Sequence, residues 1–207
     1  MLASTRRTLG TAAFVALMFS AAMAAAQSPD AVRVRGTIES VDGPNLSVKA
    51  RDGAMMKVKL TDDAKVLTLD KKSLADVKEG TFVGITAMPQ PDGSQRAVEI
   101  HIFPEAMRGT GEGHYPWDLM ANSTMTNGNI DNQVVSNDGQ TLMMKYKEGE
   151  KKIVVPPDTA VVMFVPAATS DIKAGQKFFV PRGKKLDDGT VESGFLIIGS
   201  RGVDPPM

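Results

Sequence analysis

Cysteine is absent from this chain of 207 residues. Its absence excludes disulfide bonds, thiolate zinc sites, cysteine nucleophiles and a lipid-anchored N-terminal cysteine. Aromatic residues are also scarce, at 5% of the chain, with one tryptophan and two tyrosines. Because no covalent cross-link can form, the fold must be stabilised by the burial of apolar side chains.

Neither sign of charge dominates the chain, since 24 basic residues are balanced by 24 acidic ones. That balance gives no global electrostatic reason to expect a nucleic acid partner. Catalytic motifs are missing as well. No serine lies in a G-x-S-x-G elbow, and the glycine-rich stretch 109–113 lacks the lysine of a phosphate loop. We therefore expect neither an enzyme nor a resident cofactor.

The one long apolar run lies at the N-terminus and has the pattern of an export signal. Arg6 and Arg7 precede a largely apolar stretch, residues 9–23, and small residues close it at Ala26. This pattern predicts a secretory signal peptide that is removed after Ala26, and the run is too short and interrupted for a membrane anchor. The arginine pair also matches the twin-arginine export route. We expect a periplasmic or secreted protein with no membrane span after cleavage.

Two parts of the chain correspond to each other at an offset of about 96 residues. The sequence LSVKARDG at 46–53 matches LMMKYKEG at 142–149, and DVKEG at 76–80 matches DIKAG at 171–175. Such regular self-similarity predicts an internal duplication, with about 70 residues in each copy.

Each copy has the residue pattern of short β-strands. Val32 and Val34 alternate with Arg33 and Arg35 at a two-residue period, and Ser73–Lys78 suits one helical turn. Short strands with one helical turn favour an all-β fold of two tandem OB-like barrels, with a split sandwich as the alternative. The predicted segments are a signal peptide (1–26), a first OB-like barrel (32–103), a glycine- and aromatic-containing connecting segment (104–125), a second OB-like barrel (126–200) and a C-terminal tail (201–207).

The stretches RGTIESVDGPNLSVKARDG (35–53) and LADVKEG to HYPWDL (74–119) resemble an uncharacterised family of exported bacterial proteins, domain-of-unknown-function family 5666. The resemblance covers nearly all of the mature chain and is most specific over 74–119. It implies an OB-like β-barrel module. It implies no catalytic residues, because that family has no established activity.

The chemically richest stretch is 101–120, which holds both histidines, the tryptophan and one tyrosine. Nitrogen and oxygen side chains here suit zinc or copper, although none has the close spacing of a typical metal motif. The predicted ligands are His101, Glu105, Glu112, His114 and Asp118.

The same stretch also permits a structural interpretation. Tyr115 and Trp117 are large aromatic residues that can pack between two barrels and fix the connecting segment as a strap. Ligand sites often lie at domain interfaces, so Phe103, Tyr115 and Trp117 are also predicted to shape a groove between the barrels.

Thirteen methionines offer a further metal hypothesis, because thioethers are soft ligands that select Cu(I). Met56 and Met144 fall on the core faces of their strands, where methionine usually fills gaps. The remaining candidates lack a clustered M-x-M spacing. They are Met55, Met107, Met120, Met125 and Met143.

Alternation also places a row of cations on the outer face of the first three strands. Such a row creates a local positive field in a chain of neutral total charge. No aromatic residues lie between these cations, which disfavours single-stranded nucleic acid and favours an anionic ligand or an acidic partner protein. An ordinary solvated strand face is the alternative. The predicted basic face consists of Arg33, Arg35, Lys49, Arg51, Lys57 and Lys59.

The sequence thus predicts a non-catalytic binding or scaffolding protein of the periplasm, with an unknown anionic ligand or periplasmic protein as its partner. One alternative is a periplasmic accessory protein that binds a transition metal such as copper or zinc. The second alternative is a hydrolase in which two carboxylates meet only in the fold.

Overall fold

The computed structural model describes residues 31–136, 139–199 and 202–205. Of these described residues 64% lie in β-strands, which confirms the all-β prediction. The predicted signal peptide lies outside the described residues. In chain order the strands are β1 (Ala31–Asp42), β2 (Asn45–Ala50), β3 (Met55–Lys72), β4 (Phe82–Pro89), β5 (Gln95–Ile102), β6 (Gly113–Pro116), β7 (Thr124–Ser136), β8 (Gly139–Tyr146), β9 (Gly149–Val155), β10 (Ala160–Ala167), β11 (Lys177–Lys185) and β12 (Val191–Ile198). The short 3-10 helices are Leu74–Asp76, Glu105–Met107 and Thr169–Asp171.

The strands close into two rings, which we name ring one and ring two. Ring one is formed by β1, β2, β3, β12 and β11, paired in that order and back to β1. Ring two is formed by β7, β8, β9, β5 and β4 in the same way. The pairs are antiparallel except for β3 with β12 and β5 with β9. Closure satisfies the backbone groups that an open sheet would leave at its edges.

Each ring combines strands from both halves of the chain, which differs from the predicted barrels 32–103 and 126–200. Ring one takes β11 and β12 from the second half, and ring two takes β4 and β5 from the first. The physical reason is the length of β3, whose 18 residues continue through Asp62 and Asp63. At 3.3 Å per residue such a strand spans about 60 Å if straight, so it carries the chain out of ring one before β4 begins.

One strand joins the rings and another lies beside them. β10 pairs with β3 of ring one and with β5 of ring two, so it forms a continuous hydrogen-bonded bridge between them. β6 pairs with the beginning of β7, where β8 does not reach. The two rings are therefore parts of one connected sheet.

A 3-10 helix precedes the last two strands of each half. Leu74–Asp76 follows Ser73, whose backbone N–H and hydroxyl each donate to the Asp76 carboxylate at 2.9 Å, in agreement with the predicted helical turn. Val77 then packs into the interior of ring two, and Ile172 packs into the interior of ring one. Among the described residues, no helix has the length and apolar character needed to cross a membrane.

Three apolar clusters form the core, and alternation along the strands determines which residues each contains. Two clusters fill the ring interiors, and the third lies between the rings. The interior of ring one contains Val34, Ile38, Leu46, Val48, Val58, Leu60, Val66, Ile172, Phe178, Val180, Val191, Leu196 and Ile198. The interior of ring two contains Val77, Val83, Ile85, Ala87, Ala97, Ile100, Ile102, Ile130, Leu142, Met144, Ile153, Val155 and Val161. The third cluster contains Leu67, Leu69, Phe82, Phe103, Val162, Phe164, Phe179 and Ile197.

The two rings share a local irregularity at corresponding places. The pairing of β1 with β2 shifts register directly after Ile38, and the pairing of β7 with β8 shifts directly after Ile130. The backbone N–H of Gly175 donates to the Ile38 carbonyl at 2.7 Å, and that of Gly80 donates to the Ile130 carbonyl at 2.8 Å. These shared hydrogen bonds allow the two rings to be compared position by position.

Candidate functional site

The connecting segment lies against the outer face of ring one. The Trp117 ring packs on the third cluster, with its centroid 6.1 Å from the ring centroids of both Phe179 and Tyr115. The Arg33 guanidinium carbon lies 4.1 Å from the Trp117 ring centroid, within the range of a cation–π contact. These contacts correspond to the strap interpretation of the segment.

Two arginines of the predicted basic face hold Asp118 of this segment. Arg35 Nη2 lies 2.9 Å from Asp118 Oδ1, and Arg33 Nη1 lies 3.7 Å from the same oxygen. Burial alone would raise the pKa of Asp118, but the hydrogen bond from Arg35 and the charges of both arginines lower it below its usual value. Arg51 adds a hydrogen bond to the Leu119 carbonyl at 3.2 Å. Part of the basic face is therefore occupied by the protein's own connecting segment.

The space between the rings is filled by side chains. Phe103, one of the predicted groove residues, is 8% exposed, and its ring centroid lies 5.3 Å from those of Phe82 and Phe164. Trp117 packs against the same cluster and Tyr115 contacts Trp117. The three predicted groove residues thus serve as packing between the rings.

The predicted metal ligands lie apart from one another. His101 is on the outer face of β5, where its centroid is 5.1 Å from that of Phe164. His114 is on the opposite face, because it pairs with Thr126, which in turn pairs with the inward-facing Ile85. Within the ranges 31–136, 139–199 and 202–205, no three histidine or acidic side chains are grouped as metal ligands.

Each remaining candidate ligand has a different neighbour. Glu105 makes hydrogen bonds of 2.6 and 2.7 Å with Arg108, and Asp118 is held by the arginines of β1. His114 Nδ1 lies 2.8 Å from the Thr126 hydroxyl, and burial, together with the charge of Lys151, lowers the pKa of this histidine. Glu112 is half-buried and lies in the loop before β6.

A buried polar cluster on the outer face of ring two is absent from the sequence predictions. Glu99 is 1% exposed, and its Oε1 accepts a hydrogen bond from Thr86 at 2.8 Å and lies 3.2 Å from His101 Nδ1. Gly84 makes room for this cluster, since a Cβ there would lie 2.0 Å from His101 Nε2. Alternation gives the direction of Glu99 and His101 but no sign of their burial, which results from the pairing of β10 with β5.

The methionines fall into buried and exposed groups. Met144 is fully buried in ring two and Met56 packs against the interior of ring one, both as predicted. Met125, expected to be an exposed ligand, is only 2% exposed and lies on β7 between Thr86 of β4 and Tyr115 of β6. The other candidates range from half-buried to exposed: Met107, Met143, Met120 and Met55.

An open cavity of about 530 Å³ lies on ring one where β1, β2 and β11 are neighbours. Thr37 pairs with Lys49 on one side and with Lys177 on the other, so the three side chains form a row across the strands. Lys177 Nζ donates to the Thr37 hydroxyl at 2.8 Å. Arg35 and Arg51 also line the cavity, which therefore has four cationic residues in its wall.

At the floor of this cavity the backbones of β1 and β2 approach each other unusually closely. A Cβ at Gly36 would lie 2.0 Å from the Lys49 carbonyl oxygen, so only glycine fits between β1 and β2 at this point. Lys177 and Thr37 were not predicted as site residues, because they are 140 positions apart and meet only through the pairing of β11 with β1. Lys57 and Lys59 of the predicted basic face are exposed on β3 and do not line the cavity.

The functional candidate that emerges is the cationic cavity of ring one. Two of its residues also hold the connecting segment, which fixes the position of their side chains. Comparison with known proteins finds no matching family model, no similar curated protein and no similar solved structure.

Proposed function

We propose that this protein is an exported, non-catalytic binding protein that holds an anionic ligand or an acidic partner in the cavity of ring one. The observation that carries this proposal is the convergence of Arg35, Lys49, Arg51 and Lys177 on one open cavity of about 530 Å³. This volume is within the range of small-ligand sites, and grouped cations attract anions even in a protein of balanced total charge.

Each ring is proposed to be an OB-like barrel. Five strands, one parallel pair and a short helix before the last two strands support this assignment, since the OB-fold is a small five-stranded Greek-key barrel. The matching register shifts after Ile38 and Ile130 support an internal duplication. In this proposal the two copies have exchanged their last two strands. Export through residues 1–26 and membership of family 5666 are part of the same proposal.

The distribution of acids favours binding over hydrolysis. Asp92 and Asp188 lie in turns, where hydrogen bonds from Ser94 and Thr190 lower the pKa of each carboxyl. Such carboxylates stabilise turns and stay ionised. Glu99 is deeply buried, but its neighbours are Thr86 and a histidine, whereas carboxylate-dependent hydrolysis needs a second acid nearby.

The proposal is tested by titrating the mature chain, residues 27–207, with poly-glutamate in a calorimeter at two salt concentrations. We expect saturable binding that weakens as salt increases, because exposed ion pairs are screened. Lys49→Glu and Lys177→Glu should each weaken binding about tenfold or more, the equivalent of losing one charge-assisted contact.

Lys57→Glu is the matched control, since it makes the same charge change on the same ring outside the cavity. Its affinity should stay within about twofold of the wild-type value. Absence of binding, or an equal loss in the control and the cavity variants, would contradict the proposed site.

A further inference from the structure

The C-terminal segment returns to the cationic cavity. Asp204 and Pro205 line the cavity together with Lys177, and Val203 packs against the third apolar cluster beside it. The apolar side chain of Val203 and the carboxylate of Asp204 are thus placed at one edge of the cationic cavity.

The end of β12 has contacts that hold this segment in place. Gly199 N–H donates to the Lys177 carbonyl at 2.8 Å, and Gln176 Nε2 donates to the Gly199 carbonyl at 3.2 Å. A Cβ at Gly199 would lie 3.0 Å from the Val203 carbonyl oxygen and 3.4 Å from Asp204 Oδ1. The segment therefore packs closely on the strand end that borders the cavity.

Ring two has a segment at the corresponding place, in which a basic residue stands where ring one has Asp204. After β5 the chain forms Glu105–Met107, and Met107 packs against the third cluster as Val203 does. Arg108 then donates hydrogen bonds to the Asn129 side chain and, at 3.1 Å, to the Gly80 carbonyl. Arg108 is also paired with the carboxylate of Glu105, whereas Asp204 lies at a cavity whose wall contains four cationic residues.

We infer that residues Val203–Pro205 are an internal ligand of the ring-one cavity. The external partner that fits the cavity is then an extended peptide in which an apolar residue directly precedes an acidic one, and this peptide competes with the tail. The inference rests on the proposed function and names its ligand class. A peptide is favoured over a free anion because the cavity adjoins the apolar cluster on which Val203 packs.

The test measures fluorescence polarisation of a labelled peptide, acetyl-Gly-Val-Asp-Pro-amide, with the mature chain. Asp204→Asn should bind the peptide about fivefold more tightly, because an occupied cavity lowers apparent affinity in proportion to its free fraction. Asp187→Asn, which removes an exposed acid between β11 and β12, should bind like the wild type. Lys49→Glu should abolish binding.

A peptide with asparagine in place of aspartate should bind at least about fivefold more weakly, since it loses the charge-assisted contact. Equal affinities of wild type and Asp204→Asn would overturn the internal-ligand role. Binding of poly-glutamate or citrate without binding of the peptide would overturn the peptide class and leave the proposed function intact. Absence of binding to all three probes would overturn both.

Discussion

Rings one and two share a backbone arrangement but present different chemistry on their outer faces. Thr37 of ring one pairs with Lys177, whereas the corresponding Asn129 of ring two pairs with Phe82. Arg108 covers the ring-two position through its hydrogen bond to Asn129, while the ring-one position opens into a cationic cavity. The two rings thus share a backbone arrangement, and a few side chains decide whether the outer face is open or covered.

The two rings also contact each other through their outer faces. On ring two, Phe82 and Phe103 face ring one, and on ring one Phe179 faces back. Since both outer faces are apolar where they meet, they form a third core. The space between the rings is therefore packed with apolar side chains.

The largest effect is expected from the two corresponding glycines at which the strands approach most closely. A Cβ at Gly36 would lie 2.0 Å from the Lys49 carbonyl oxygen, and one at Gly128 would lie 2.5 Å from the Lys145 carbonyl oxygen. Each alanine substitution should destabilise the protein by about 3 kcal/mol or more, with Gly36→Ala the more severe, because backbone must move. Urea denaturation measures both.

Gly149→Ala is the control for this pair, since its Cβ would meet nothing closer than 3.5 Å. Each ring contains strands from both halves of the chain and β10 joins the rings, so each variant should still unfold in a single transition. Two separate transitions, with each glycine affecting only one of them, would show that the rings fold independently.

The next largest effect is expected where the connecting segment covers ring one. Trp117→Ala removes a half-buried ring that contacts Phe179 and Arg33, and should cost about 2–3 kcal/mol of unfolding free energy. Trp117→Phe, which keeps an aromatic ring on the apolar cluster, should cost less than half as much. Equal costs for both variants, or none for either, would contradict the anchoring role.

A smaller effect is expected from acid. The pKa of Asp118 is lowered in the folded protein, so its contribution to stability is complete above the ordinary value of 3.8 and is lost as pH falls through the folded value. As pH is lowered, the fluorescence of Trp117 should change at a higher pH than the far-ultraviolet circular dichroism, which reports unfolding of the strands. Asp118→Asn should show that change already at pH 7. A wild-type emission spectrum in this variant would contradict the proposed dependence of the Trp117 environment on the Asp118 charge.

The smallest effect is expected at His114, on ring two. Burial and Lys151 lower its pKa below 6.5, so the stability that depends on its neutral form is present above pH 6.5 and declines as pH falls through that value. His114→Gln should flatten the dependence of the urea midpoint on pH between about 5 and 7.5. A slope unchanged from that of the wild type would show that a group other than His114 causes the pH dependence.

The local structure was largely predictable from the sequence, because it depends on near neighbours. The alternation of apolar and polar residues predicted which residues of β1 to β3 point inward, and Ser73 predicted the start of the helical turn. The combination of strands from both halves in each ring was not predictable, because it depends on β3 continuing through Asp62 and Asp63. That continuity comes from the pairing of β3 with β12 and β10, which follow it by 88 residues or more in the sequence.

The candidate site was predictable only in part. Arg35, Lys49 and Arg51 belong to adjacent strands, so alternation placed them on one face. Lys177 joins them through a pairing between distant strands, and no local pattern marks it. The burial of Glu99 was not predictable for the same reason, since its neighbour within the sheet is the distant strand β10.

The central claim is that ring one, and not ring two, carries the anion site. The most direct measurement is a map of backbone amide chemical shifts of the mature chain during a titration with citrate. We expect saturable shifts at residues 35–37, 49–51 and 177–178, with the corresponding residues 127–129 and 145–147 unchanged. Shifts spread equally over both sets, or confined to ring two, would show that the anion site is not specific to ring one.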